Sequence, residues 1–112
     1  MAVGVTGEDS SQTTITMGTS SSSNNSSADS GAVFVYKRTG TSWAQEAYIK
    51  ASNNASGSGS LGDSVDLSGL TIVVGSRNEG SNQTTITNGT SSSSDTSSAQ
   101  SGAVYVYSFT GE

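Results

Sequence analysis

The sequence contains no cysteine, no histidine and no proline, and only 12% of its residues are charged. Without cysteine there is neither a disulfide framework nor a zinc-thiolate site, and the thiolate nucleophile is gone. Without histidine the commonest general base is missing as well. The cations are Lys37, Arg38, Lys50 and Arg77 alone, against a formal charge of −5. That balance argues against a nucleic-acid surface, which needs clustered Lys and Arg to displace counterions, and against anionic membranes. No apolar run approaches the roughly 20 residues of a membrane span, so membrane insertion is not expected.

What is present is Ser, Thr, Asn, Gln and Gly, with hydrophobic residues held to 30% of 112. Such a composition normally signals disorder, because little apolar surface offsets chain entropy. Here the apolar residues are gathered into short β-branched and aromatic runs, which favours strands joined by polar loops. Nothing has helical periodicity, and the chain is read as all-β.

The chain says nearly the same thing twice. Sliding it so that Val74 falls on Val3, a shift of 71, aligns 3–41 with 74–112 without a gap, with about two thirds of positions identical. Residues 1–112 are read as a single domain with this internal repeat, its copies joined by 42–73. Each copy carries a long polar arm, containing Thr13-Thr14-Ile15-Thr16 in one and Thr84-Thr85-Ile86-Thr87 in the other, followed by a serine run. The β-prone Thr13–Thr16 segment is expected to form a small hairpin arm.

Ala2–Val5 reads as the end of a strand, as though the chain were cut from something longer. Gly31–Arg38 is the clearest strand, with Ala32, Phe34 and Tyr36 pointing one way and Val33 and Val35 the other. Both faces are apolar, so it is expected between neighbouring layers. After the Gly40-Thr41-Ser42 turn, Trp43, Ala47 and Ile49 share one face against Glu46, Tyr48 and Lys50. This one-sided strand is expected at a solvent edge. Ser52–Ser60 is a small-residue linker. Leu61–Leu67 and Leu70–Gly75 form a hairpin about Ser68-Gly69, and Gly102–Tyr107 repeats the clear strand.

The order Leu61-Gly62-Asp63-Ser64-Val65, Leu67-Ser68-Gly69, Ile72-Val73-Val74-Gly75, then Gly102-Ala103-Val104-Tyr105-Val106-Tyr107, resembles the FG-GAP repeat of integrin-alpha-type β-propellers, in its bacterial tandem version. The strand Trp43–Ala51 is similar to the last strand of such a blade. Leu61-Gly62 stands where the family has Phe-Gly, and Gly75-Ser76-Arg77 where it has Gly-Ala-Pro. The resemblance implies antiparallel β-meander strands amounting to about one and a half propeller-type blades, completed by packing into a small sandwich or by self-association into an oligomer. It also implies a secreted or cell-surface protein, with adhesion to a protein or glycan ligand as the expected role.

The family's usual ion is calcium, held by an Asp-x-Asp-x-Asp-Gly type loop. Here that connection is Asp66-Leu67-Ser68-Gly69-Leu70 with a single acid, so the metal role does not carry over. Glu8, Asp9 and Glu79, at the starts of the arms, are the remaining metal candidates; exposed loop acids are the commoner reading. No cofactor is expected. Catalysis has little support: no spacing singles out a Ser-Lys pair, and Asp63 and Asp66 fall on different strand faces. A non-enzymatic module is expected.

Binding residues are easier to nominate. Tyr36, Tyr48, Tyr105 and Tyr107 could meet sugars or protein surfaces, although strand-centre tyrosines are more often core. Thr14-Ile15-Thr16 and Thr85-Ile86-Thr87 could form hydroxyl ladders, against the plainer reading of solvated β-prone loops. The Asn-x-Ser/Thr triplets at Asn24, Asn25, Asn54, Asn82 and Asn88 matter only in a glycosylating host. The alternatives to a ligand-binding module are a purely structural or self-assembling repeat with no ligand, and a carbohydrate-binding module.

Overall fold

A computed structural model describes residues 1–54, 60–89, 93 and 95–109. Residues 55–59 of the linker, part of the second serine run and the last three positions of the repeat lie outside the described residues.

The β-branched and aromatic runs become strands: β1 (Ala2–Val5), β2 (Ile15–Met17), β3 (Ala32–Thr39), β4 (Ser42–Ile49), β5 (Ser64–Ser68), β6 (Thr71–Ser76) and β7 (Ala103–Ser108). All pairings among them are antiparallel, and they make two sheets ordered β1-β3-β4-β2 and β5-β6-β7. The fold is an all-β sandwich. Val33, Val35, Ala47 and Ile49 of the first sheet meet Ile72 and Val74 of the second, with Leu61 between the strands and Tyr105, Tyr107 and Phe109 packed against the cluster. Each fully buried Val or Ile contributes about 1.5–3 kcal/mol relative to exposure.

The β5–β6 hairpin forms where expected, pairing Val65 with Val74 and Leu67 with Ile72. Two other expectations are corrected. The β-prone segment of the first arm does not fold back on itself; it adds to β4, pairing Ile15 with Ile49 and Met17 with Ala47. As a result β4 is an interior strand, not a solvent edge, and Ala47, Tyr48, Ile49 and the following Lys50 are all buried.

The alternation read for β4 also breaks. Val35 pairs with Ala47 but Tyr36 with Gln45, so Glu46 is an extra, bulged residue. A bulge shifts the face assignment by one. Trp43, opposite Arg38, therefore falls on the face of Phe34 and Tyr36 rather than that of Ala47 and Ile49, and it is largely exposed.

Candidate functional site

The described residues of the two polar arms share a set of side-chain-to-backbone hydrogen bonds. In the first, the Glu8 carboxylate accepts from the Ser10 N–H at 2.9 Å, and the Ser30 hydroxyl donates to the Ser10 carbonyl at 2.9 Å. In the second, Glu79 accepts from the Ser81 N–H at 2.8 Å, and Ser101 donates to the Ser81 carbonyl at 2.7 Å. The Gly31 N–H reaches the Glu8 carbonyl at 2.9 Å and the Gly102 N–H reaches the Glu79 carbonyl at 2.8 Å. Short polar side chains bonding to nearby backbone are an alternative to a sheet ladder, which is how a segment poor in apolar residues acquires shape.

The proposed hydroxyl ladders are spoken for locally. Gln12 Nε2 donates to Thr14 Oγ1 at 3.0 Å and Thr16 Oγ1 at 2.7 Å. Gln83 Nε2 makes the same pair of bonds to Thr85 and Thr87. The Gln-x-Thr-x-Thr spacing was the available signal in the sequence, passed over in favour of the threonines alone.

The acids are not the exposed loop residues expected. Lys50, its side chain wholly buried, places Nζ 2.7 Å from Glu8 Oε1, 2.8 Å from Ser30 Oγ and 2.6 Å from the Gly31 carbonyl. The Tyr48 hydroxyl donates to Glu8 Oε2 at 2.5 Å. Burial pulls the Glu8 carboxyl upward, but the bonds from Lys50, Tyr48 and the Ser10 N–H together outweigh it and hold it below its usual range. Burial and the Glu8 bond push Tyr48 up to about 12.

Glu79 is buried too, accepting from Asn53 Nδ2. Asp9 Oδ1 accepts from the Asp29 N–H at 2.8 Å, on the far side of the first arm's turn. Among the described residues no three acidic side chains gather as a metal site. The Asp66–Leu70 turn offers one carboxylate, itself accepting from the Leu67 N–H, which does not fit calcium's six to eight oxygens.

The second arm differs from the first in what lies beside it. An open groove of about 920 Å³ is lined by this arm, by β7, by the first arm's Ile15 and Met17 and by Glu79. Its apolar lining includes Val104 (67% exposed), Val106 (63%) and Ile86 (91%), together with Tyr105, Tyr107 and Phe109. Tyr105 and Tyr107, on the other face of β7, are partly buried against the core cluster, their rings stacked at 6.2 Å and 6°. Burial, with the nearby Glu79 charge, raises Tyr105 to about 12. The groove thus meets both faces of β7, the more exposed valines and the half-buried tyrosines.

Compared with known proteins, the chain matches no family model, no curated protein and no solved structure.

Proposed function

We propose that the chain is a non-enzymatic repeat module of a secreted or cell-surface protein, taking up a ligand in the groove between its two Ser/Thr-rich arms. The observation that carries this reading is the groove itself. It is lined by exposed Val104, Val106 and Ile86 together with hydroxyl and amide groups of both arms, and a cleft that combines apolar and polar side chains is what a binding surface offers. The FG-GAP resemblance supports the same setting, a β scaffold that displays loops.

A second reading, a self-assembling repeat with no foreign ligand, is favoured by the edge of β7, the end strand of its sheet. An exposed apolar edge strand recruits other strands. A carbohydrate-binding module has less support, because Tyr105 and Tyr107, although they line the groove, are partly buried against the core cluster.

The test is a selection from a displayed library of random extended peptides, with a glycan array beside it, using the wild-type chain and Val104→Lys/Val106→Lys. Ligands retained by the wild type and lost by the double variant are expected. Blank results in both formats, or equal retention by both proteins, would refute a ligand groove.

A further inference from the structure

The internal repeat says what should fill the groove. A shift of 71 carries β3 onto β7, but β3 is an interior strand and β7 an edge. In the first copy the lane beside β3 is occupied by β4, in the register Val33 with Ile49, Phe34 with Tyr48 and Val35 with Ala47. The corresponding β7 positions, Val104, Tyr105 and Val106, have no such neighbour among the described residues. β4 is gripped from its other side by β2. The equivalent stretch of the second arm, 86–88, is not a strand, and its Ile86 is 91% exposed against 42% for Ile15. The two segments that flank β4 in the first copy therefore both border the groove in the second.

The lane also has a charge at its head. In the first copy the Lys50 ammonium is held by the Glu8 carboxylate, Ser30 Oγ and the Gly31 carbonyl. All three acceptors recur as Glu79, Ser101 and Gly102, and among the described residues no Lys or Arg forms an ion pair with Glu79.

We propose that the groove takes up one extended strand from a partner polypeptide, antiparallel to β7, whose lysine meets the Glu79 carboxylate as Lys50 meets Glu8, Asn53 already holding the carboxylate oxygen that Tyr48 holds on Glu8. Its chemistry is that of Ala47-Tyr48-Ile49-Lys50: a small apolar residue opposite Val106, an aromatic opposite Tyr105, a branched apolar residue opposite Val104, then lysine. Backbone bonds along the edge give affinity and the alternating side chains give selectivity. A second intact copy is not the donor, because its β4 is held between β3 and β2 and its Lys50 is committed to Glu8. This deepens the ligand-groove reading and rests on it.

The probe is a synthetic peptide of the sequence Ser42–Ala51, titrated into the full chain by calorimetry, with amide exchange read along β7. Saturable one-to-one binding is expected, with protection of β7 and of 85–88. Replacing the peptide's lysine by norleucine, which leaves the protein untouched, should weaken binding roughly ten- to hundred-fold, the range for a hydrogen bond to a charged group. Glu79→Gln should weaken it by a similar factor.

Equal binding of a scrambled peptide, or indifference to the lysine, would overturn the proposal. So would a β7-to-β7 dimer that the peptide does not dissociate. If the peptide fails while library ligands still select the groove, this inference falls and the groove reading stands; if nothing binds the groove, both fall.

Discussion

Gly31-Ala32-Val33-Phe34-Val35-Tyr36 and Gly102-Ala103-Val104-Tyr105-Val106-Tyr107 differ in one side chain, yet Val33 is wholly buried and Val104 is two thirds exposed, at 67%. Both segments form strands and both begin at a glycine of positive φ, 84° and 80°. The faces they turn to the shared core are opposite: Val33 and Val35 from one sheet, Tyr105 and Tyr107 from the other. A strand apolar on both faces can do this, because either set of alternate residues will serve as an interior. Local sequence thus sets the strand, and the neighbours set the energy stored in each residue. The two arms make the same point. Their internal hydrogen bonds match, but only the first has a lysine to close around.

Substitutions at matched positions should separate the two copies. The largest effect is expected at the acids. Glu8→Gln leaves the buried Lys50 ammonium without its counter-charge, and breaking a buried pair from one side costs about 3–5 kcal/mol. Among the described residues, Glu79→Gln disturbs bonds to the Ser81 N–H and Asn53, for about 1 kcal/mol. Urea unfolding of the two variants measures the difference, and equal losses would mean the Lys50 site is hydrated in solution.

Next come the glycines. An alanine Cβ at Gly31 would lie 2.2 Å from the Leu61 carbonyl oxygen and 2.4 Å from its nitrogen, both backbone atoms that cannot step aside. At Gly102 the nearest atom is the Arg77 carbonyl oxygen at 3.4 Å. Both alanines carry the left-handed strain of about 1–2 kcal/mol, so Gly102→Ala should cost about that. Gly31→Ala adds an overpacking term of about 1–3 kcal/mol. The valines give a smaller gap. Val33→Ala should lose about 2 kcal/mol of buried methyl groups, and Val104→Ala less than about 0.5 kcal/mol.

The all-β class, the β5–β6 hairpin and the repeat of the clear strand were legible because periodicity and turn glycines are local. The place of β4 was not. Its exposed Trp43 and charged Glu46 describe an edge, and a bulge that inverts the alternation leaves no mark in a list of residue types. The pairing of Ile15–Met17 with β4 joins positions 30 or more apart in sequence, from Met17 to Ala47 at the least, and only tertiary structure expresses it. The site residues were half legible. Glu8 and Glu79 stood out as acids, but as candidate ligands. Their burial depends on Lys50 and Asn53, which arrive from a different part of the chain.

The smallest expected effect concerns pH and is read at Glu8 and Tyr48. Glu8 has a folded-state pKa below its ordinary value, so its contribution is complete above about 4.3 and is lost as pH falls through the lower, folded value. Tyr48 runs the other way. Its hydroxyl is raised to about 12, so its contribution is complete below the ordinary value of about 10 and fades as pH rises toward the folded one. The clasp of Glu8, Tyr48 and Lys50 is therefore strongest across the middle of the pH range and weakens at both ends. In urea midpoints measured against pH, the gap between wild type and Glu8→Gln should close on the acid side. That between wild type and Tyr48→Phe should close on the alkaline side. Tyr105 and Tyr107 are raised as well, through burial first, but they are present in both proteins of each pair and cancel. A Tyr48→Phe gap that stays constant to the alkaline limit would mean the hydroxyl does not bond the carboxylate in solution. The first copy would then differ from the second by its lysine alone.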